Sequence, residues 1–342
     1  TTHFEFNDIH ENVLKIDILG HVDPTAMRLL EKITGVDVRS IPMNDPATIS
    51  LFHTSRPLKF INKGFKEKTG AMGLPEFGTK FVRGILEDAK PKNFSDLLRI
   101  SGLSHGTDVW SNNAKDLIHS GTLLNDVIGC RDDIMVYLIR KGLKAREAFE
   151  IMESVRKGKG LKKNWIANMK ANNVPSWYID SCQKIKYMFP KAHAVAYCIM
   201  AVRVGWFKLN YPLHYYISYF TLRCNAYDIK AMCEGFESVS LRYNDILKRS
   251  LDKEAKNSVT KKEYEVLNTL EVVLEMMARG YRFSNISLEL SLADEFIIDP
   301  NDDKALIPPF ITVDGLGLNV AKSIIDAKTE RPFISKQDLL TR

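Results

Sequence analysis

A short alternating segment near the start of the chain holds the first residues that could do chemistry. In residues 13–18 apolar and polar side chains alternate, so Lys15 and Asp17 would share the polar face of a strand that ends near Gly20. Such a pair is most often a solvated ion pair, and the spacing alone favours that interpretation. The functional alternative is a metal-binding aspartate beside a phosphate-binding lysine.

A second candidate is the basic segment RKGKGLKK at residues 156–163. Glycines alternating with cations offer flexible backbone N–H groups and positive charge, which suit contact with phosphate. A solvated basic loop and a phosphate-binding loop are about equally supported by this composition. The position of this segment just upstream of the next candidate favours the phosphate-binding loop. Its cations are Arg156, Lys157, Lys159, Lys162 and Lys163.

The stretch at residues 184–223 combines a basic, proline-containing head, an uncharged run and an aromatic belt. The head contains Tyr187, Phe189, Pro190, Lys191 and His193. Pro190 marks the start of a helix, because its missing N–H costs nothing there. The uncharged run at 192–202 is shorter than the roughly 20 residues that a bilayer requires. We therefore expect a buried helix with Lys191 and His193 at its positive end, where anions bind.

Aromatic residues flank that head. Tyr187 precedes Pro190, and His193 and Tyr197 lie four residues apart, so the latter two share a helix face. These rings could belong to the core, or they could stack on a base while nearby cations neutralise phosphate. The belt at 206–220 is spaced for packing, although aromatic side chains can also stack on unpaired bases.

The glycine-containing segment Gly315-Leu316-Gly317 precedes a predicted helix and resembles a helix-hairpin-helix motif at about residues 308–328. Glycines let backbone N–H groups approach a phosphate, and Lys322 adds charge. Contact of this kind is independent of base sequence and sensitive to salt.

Composition indicates an ordinary globular protein. The chain has 342 residues, 26% of them charged, and a formal net charge of +6, which permits a polyanionic partner without requiring one. The five cysteines are widely spaced and include no CxxC pair, which favours reduced thiols in a cytoplasmic protein over a zinc site or disulfides. Neither a signal peptide nor a membrane-spanning segment is apparent.

Periodicity predicts a mostly α fold with a small α+β part. Amphipathic helices are expected at 228–248 and 261–278, with largely solvated faces, and short strands within 283–290 and 294–300. Both chain ends give the impression of a piece of a longer polypeptide.

The amino-acid sequences of four segments resemble motifs of a known protein family. LKIDILG, GCRDDIM, FPKAHAVAY and the GLG hairpin occur in an order similar to that of bacterial C-family replicative DNA polymerases of the PolC type. The resemblance runs across nearly the whole chain. It implies the end of a palm at residues 1–45, helical fingers at 46–237, and a duplex-binding region with the helix-hairpin-helix at 238–342.

The resemblance also implies roles for the residues above. Asp17 would be the last of three catalytic aspartates and Lys15 its neighbouring lysine. Two Mg²⁺ ions would be held with two further aspartates from outside this chain, because no paired DxD precedes Asp17. The implied nucleotide-binding residues are Lys15, Arg131, Arg156, Lys157, Lys159, Tyr187, Lys191, His193 and Tyr197. The implied DNA-binding residues are Lys162, Lys163, Gly315, Leu316, Gly317, Asn319 and Lys322.

The implied reaction is attack of a primer 3′-hydroxyl on the α-phosphate of a deoxynucleoside triphosphate. Partners would be primer-template DNA, deoxynucleoside triphosphates, the rest of the polymerase polypeptide and, in the full-length enzyme, the sliding clamp and replisome proteins, with no membrane involved. The fragment alone is expected to be inactive. A non-catalytic DNA-binding module is the alternative, and a helical interaction protein is a third possibility.

Overall fold

Helices dominate the computed structural model, which describes residues 3–9, 12–13, 20–62 and 64–342, without the side chains of Phe6 and Asn7. A small three-stranded sheet accompanies them. The α-helices of the described residues are α1 (Phe6–Ile9), α2 (Asp23–Thr34), α3 (Pro46–Ser50), α4 (Lys80–Ala89), α5 (Phe94–His105), α6 (Lys115–His119), α7 (Arg131–Arg140), α8 (Ala145–Arg156), α9 (Lys163–Ala171), α10 (Ser176–Lys184), α11 (Lys191–Asn210), α12 (Pro212–Arg223), α13 (Ile229–Glu234), α14 (Phe236–Leu251), α15 (Lys261–Ala278), α16 (Leu318–Glu330) and α17 (Lys336–Thr341).

The centre of the fold is the pair α11 and α12, which are joined at Tyr211 and Pro212. Helix α11 packs against α5, α12, α3 and α2, and α12 packs against α2 and the sheet. The aromatic belt is core as its spacing predicted, since Phe207, Tyr216 and Phe220 are fully buried. This burial on several sides fixes where the first turn of α11 lies.

A buried ion pair fixes the other end of α11. The side chains of Lys208 and Glu275 are both inaccessible to solvent, and Lys208 Nζ lies 2.8 Å from Glu275 Oε2. The ammonium also donates to the carbonyl oxygens of Gly70 and Met72, and the Tyr216 hydroxyl donates to Glu275 Oε1 at 2.9 Å. Burial lowers the pKa of Lys208 to about 8, while the Glu275 carboxylate opposes that change.

The region at 228–278 departs from its sequence-based description. Gly235, at φ +107°, divides the predicted helix at 228–248 into α13 and α14. Helix α15 has the predicted bounds, and Thr260 and Glu263 form a capping box at its start. The prediction that these charged helices are mainly solvated is wrong for α15, whose C-terminal half is buried, including Val273 and Met276.

The sheet has the strand order β1-β3-β2, with β1 (Arg282–Phe283), β2 (Ile297–Asp299) and β3 (Asp302–Ile307). Strand β1 pairs with β3 in parallel and β2 pairs with β3 antiparallel. Phe283 and Phe296 pack against Phe220 of α12, with ring centroids 5.4 and 5.6 Å apart. Most of the predicted strand at 283–290 is loop, and β3 was not predicted.

The GLG segment lies between a single 3₁₀ turn, Phe310–Thr312, and α16. Gly315 has φ +80°, a conformation that favours glycine, and Gly317 is the residue that caps α16. The GLG segment is therefore followed by a helix and preceded by a single 3₁₀ turn.

Within the part of the chain that the structure describes, no helix has both the length and the apolar character needed to cross a membrane.

Candidate functional site

The head of α11 is held by the start of α7. Pro190 caps α11 in extended backbone conformation, and the N–H of Lys191 donates to Asp132 Oδ2 at 2.7 Å. In return, the N–H of Arg131 donates to the carbonyl oxygen of Phe189 at 3.2 Å. The predicted helix start at this proline is confirmed, and the GCRDDIM and FPKAHAVAY segments meet here.

Asp133 organises the junction beneath this head. Its carboxylate accepts hydrogen bonds from the N–H groups of Gly129 and Cys130, at 3.3 and 2.9 Å, and from Arg99 at 3.4 Å. Lys191 Nζ lies 3.2 Å from the same carboxylate, and the Lys191 side chain is 46% exposed. The ammonium of Lys191 is therefore held in place by an ion pair and remains open to solvent.

A row of rings covers the solvent side of the head. Phe189 is at its centre, with its centroid 4.7 Å from the His193 ring and 5.5 Å from the His105 ring. The rings of His193 and Tyr197 lie 4.5 Å apart, as their shared helix face predicted. Tyr187 packs edge-on against Phe189 at 5.8 Å, and its side chain is 45% exposed. This row presents aromatic edges and faces to solvent.

Two of the histidines in this row have opposite electrostatic character. His105 Nε2 lies 2.7 Å from Glu76 Oε2 and its Nδ1 lies 2.7 Å from the carbonyl oxygen of Ser101, so both ring nitrogens face acceptors. The hydrogen bond to Glu76 raises the pKa of His105. Desolvation, together with the nearby His105, lowers the pKa of His193. His193 is thus suited to neutral stacking or hydrogen bonding.

The basic loop lies against the residues that lead into the head. Gly158 has φ +68°, and a Cβ at this position would come within 2.6 Å of the carbonyl oxygen of Lys186. The N–H of Met188 donates to the carbonyl oxygen of Arg156 at 3.3 Å. Only glycine allows this approach without displacement. The loop is thereby brought beside Tyr187.

The cations of that loop differ in their partners. Arg156 and Lys157 both pair with Glu153, at 2.8 Å for Arg156 Nη2 and 3.2 Å for Lys157 Nζ. Lys159 is exposed. The two pairs reduce the charge that the loop presents, and Lys159 is placed to contact a ligand.

Arg131 provides a buried donor at the same junction. Its Nε atom is buried and has no hydrogen-bond partner among the described residues. A buried, unpaired guanidinium donor costs free energy unless a ligand or water completes it. The donor follows the loop that contains Cys130 and lies at the helix start that contacts Phe189.

The remaining predicted residues lie elsewhere. Lys162 and Lys163 are exposed at the start of α9, and Lys162 Nζ lies 4.5 Å from the centroid of the Trp165 ring. Asn319 and Lys322 are exposed on α16. The GLG hairpin adjoins the start of α15, where Lys262 Nζ lies 2.7 Å from Asp314. The hairpin therefore forms a second surface of its own, beside the loop that follows α12.

Lys15 and Asp17 lie outside the described residues, so the structure does not place them. Among the residues that are described, no group of three or more His, Cys, Asp or Glu side chains could hold a metal ion.

Sequence reasoning missed two carboxylates that shape the head, those of Glu76 and Asp133. Thr107 also contacts the head, since its N–H donates to the carbonyl oxygen of Tyr187 at 3.0 Å. Local spacing gives no signal for Glu76, because it reaches His105 from a loop 29 residues away.

The head thus offers exposed aromatic surface beside several cations and one buried unpaired donor. This combination suits a ligand that has both a planar ring and a polyanionic group.

Part of the chain, which ends before the head of α11, matches a known protein family. Residues 23–173 match the family described as the bacterial DNA polymerase III alpha subunit finger domain. That stretch includes the start of α7, the basic loop and α9, so these elements belong to a finger domain.

Whole-chain similarity narrows the class. The chain is 52% identical to the DNA polymerase III PolC-type of Bacillus cereus over 343 aligned residues, which cover 100% of this chain and 23% of that protein. It is also 54% identical over 340 residues to the proteins of the same name from Staphylococcus haemolyticus and Staphylococcus aureus. Each of these alignments covers 99% of this chain and 23% of the other protein. The chain is thus similar over nearly its whole length to PolC-type DNA polymerase III proteins, and it spans 23% of the length of these relatives.

Proposed function

We propose that this chain supplies the nucleotide-positioning part of a template-directed replicative DNA polymerase. In this proposal residues 1–45 end the palm, 46–237 are the fingers, and 238–342 bind duplex DNA behind the site. The observation that carries it is the convergence on the head of α11. There the aromatic row, the basic loop and the buried Arg131 donor meet at one helix N-terminus.

The incoming deoxynucleoside triphosphate binds at this head. The base lies against the rings of Tyr187, His193 and Tyr197, which have exposed edges and faces. Arg131, Arg156, Lys157, Lys159 and Lys191 surround the triphosphate. Charge-assisted hydrogen bonds of this kind are roughly twice as strong as neutral ones, and the Arg131 donor gains the partner that it lacks in the free protein.

Chemistry on the bound nucleotide is assigned to Asp17, with Lys15 beside it. Two Mg²⁺ ions would stabilise the charge that develops on the attacking and leaving oxygens. Two further aspartates from outside this chain would share these ions with Asp17, because no paired DxD precedes it in the sequence. The role of the fingers is to hold the triphosphate in line with the primer terminus.

The product duplex lies against the second surface. Backbone N–H groups of Gly315, Leu316 and Gly317, with Asn319 and Lys322, contact phosphates, and Lys162 and Lys163 extend the basic surface near the fingers. Such contacts bind DNA regardless of sequence and weaken with salt. Sliding clamp and replisome contacts belong to the full-length polymerase in this proposal.

The test is primer extension by the full-length polymerase. Asp17→Ala is expected to abolish incorporation, because the metal loses a ligand, while binding to primer-template in a filter or anisotropy assay stays within about twofold. Lys170→Ala, which removes an exposed cation from the end of α9, serves as the control and should extend normally. Near-normal extension by Asp17→Ala would overturn the metal assignment.

A further inference from the structure

A cavity of about 550 Å³ lies on the other side of α7, between that helix, α5, α10 and the loop at 125–128. It is lined by Arg99, Asp126, Asp133, Arg140, Lys141 and Tyr178 among others. Neither the residues of the basic loop nor the rings of the aromatic row line it. The cavity is therefore separate from the proposed nucleotide site, with Lys191 at the border between them.

Tyr178 gives this cavity an unfilled hydrogen-bonding position. Its side chain is only 2% exposed, and its hydroxyl has no hydrogen-bond partner among the described residues. The ring is fixed by stacking on Tyr137, with centroids 4.1 Å apart and planes 17° from parallel. A buried hydroxyl without a hydrogen-bond partner destabilises the folded protein, so its presence in a ligand-sized cavity points to an occupant.

The charges that remain available in the cavity favour an anion. Arg99 and Lys191 are already paired with Asp133. Asp132 is occupied by the N–H of Lys191.

Asp126 and two cations at the end of α7 complete the charged lining of the cavity. Arg140 has no ion pair within the described residues, and Lys141 lies with its ammonium 5.6 Å from the centroid of the Tyr137 ring. In all, four cations (Arg99, Arg140, Lys141 and Lys191) and three carboxylates (Asp126, Asp132 and Asp133) line the cavity, which leaves one net positive charge opposite a fixed hydroxyl.

We propose that this cavity binds a phosphate-bearing small molecule, whose anionic group is held by Arg140 and Lys141 and accepts a hydrogen bond from the Tyr178 hydroxyl. Two sources share this chemistry, namely inorganic pyrophosphate and a nucleoside monophosphate. The site is independent of the proposed polymerase function, because it uses none of the residues assigned to the triphosphate except Lys191 at its rim.

The experiment is calorimetric titration of the full-length polymerase with pyrophosphate, in the presence of EDTA. An Arg131→Gln background weakens binding at the proposed nucleotide site by removing its buried donor, and a loss of the remaining saturable binding on a cavity substitution assigns that binding to the cavity. Tyr178→Phe and Arg140→Gln are then added separately. Each is expected to weaken binding roughly tenfold, because each removes a hydrogen bond to a charged group.

Two controls make the result specific. Tyr178→Phe should leave the thermal unfolding of the ligand-free protein unchanged or slightly raised, since the hydroxyl has no partner to lose. Arg146→Gln removes an exposed arginine that pairs with Glu150 on α8 and does not line the cavity, and it should bind pyrophosphate as the background does.

Competition with thymidine monophosphate distinguishes the two candidate ligands of the cavity. Displacement of pyrophosphate assigns the site to nucleoside monophosphates, and failure to displace it assigns the site to inorganic phosphates. The proposal is overturned if neither probe binds in the Arg131→Gln background. It is also overturned if binding there is unaffected by Tyr178→Phe and Arg140→Gln, or falls equally in Arg146→Gln.

Discussion

The two ends of α11 use polar side chains in opposite ways. At its C-terminal end Lys208, Glu275 and Tyr216 are buried and satisfy one another. At its N-terminal end Lys191 is half exposed, Tyr187 presents its ring to solvent, and the Nε atom of Arg131 has no hydrogen-bond partner in the part of the chain that the structure describes.

The difference separates two tasks within one helix. A fully paired buried network holds a single arrangement, because any change leaves a charge without a partner. An incompletely paired surface costs stability in the free protein and can gain free energy when a ligand completes it. The C-terminal end of α11 therefore holds the helix in place, and the head keeps polar groups that a ligand could pair with.

The largest expected effect comes from breaking the buried end. Glu275→Ala leaves the Lys208 ammonium buried without its carboxylate and should lower the free energy of unfolding by roughly 3–5 kcal/mol. Chemical denaturation of the chain measures it. Lys208→Met with Glu275→Leu removes both charges and should recover most of the loss. Equal stability of Glu275→Ala and the wild type would show that the pair does not fix α11.

A smaller effect is expected where the basic loop meets the head. Gly158→Ala places a Cβ against the carbonyl oxygen of Lys186 and should displace the loop, raising KM for the deoxynucleotide roughly tenfold in the full-length polymerase. Gly160→Ala is a matched control, because Gly160 has φ +69° and no atom within 4 Å of the added Cβ. If both variants raise KM equally, loop strain rather than the contact is responsible.

The smallest expected effect is the pH dependence of the Glu76–His105 pair. The pKa of His105 is raised above 6.5. Its contribution to the free energy of unfolding is therefore fully present below pH 6.5 and is lost as pH rises through the raised pKa. The pKa of Glu76 is lowered below 4.5, so its contribution is present above pH 4.5 and is lost as pH falls through the lowered value. His105→Gln should therefore cost at most about 1 kcal/mol, mainly between these limits.

Unfolding of the wild type and of His105→Gln by denaturant at pH 5.5 and pH 8.5 checks this. The stability difference should be larger at pH 5.5. A difference that grows towards pH 8.5 would mean that His105 is neutral in the folded protein.

Local patterns predicted the elements whose signals lie within one turn. Helix α15 has its predicted bounds because Thr260 and Glu263 cap its start, and α11 begins after Pro190 as the missing N–H indicates. The single predicted helix at 228–248 was wrong because Gly235, at φ +107°, breaks it. Local charge patterning also overstated how much of α15 is solvated, since tertiary packing decides that.

The candidate site was predictable only in part. His193 and Tyr197 share a face by spacing alone, and Lys191 follows the proline. Their partners were beyond local reasoning, because Asp133 and Lys191 are 58 residues apart in sequence and Lys208 and Glu275 are 67 apart. A buried pair of that kind has the same local pattern as two solvated charges until the fold brings them together.

The central claim is that the head of α11 positions the incoming nucleotide, and Arg131→Gln tests it most directly. Because Arg131 Nε has no partner in the free protein, the substitution removes no hydrogen bond made by that atom. Steady-state primer extension by the full-length polymerase should show KM for the deoxynucleotide raised at least roughly tenfold, with the Kd for primer-template within about twofold. An unchanged KM, or a loss confined to primer-template affinity, would contradict the assignment.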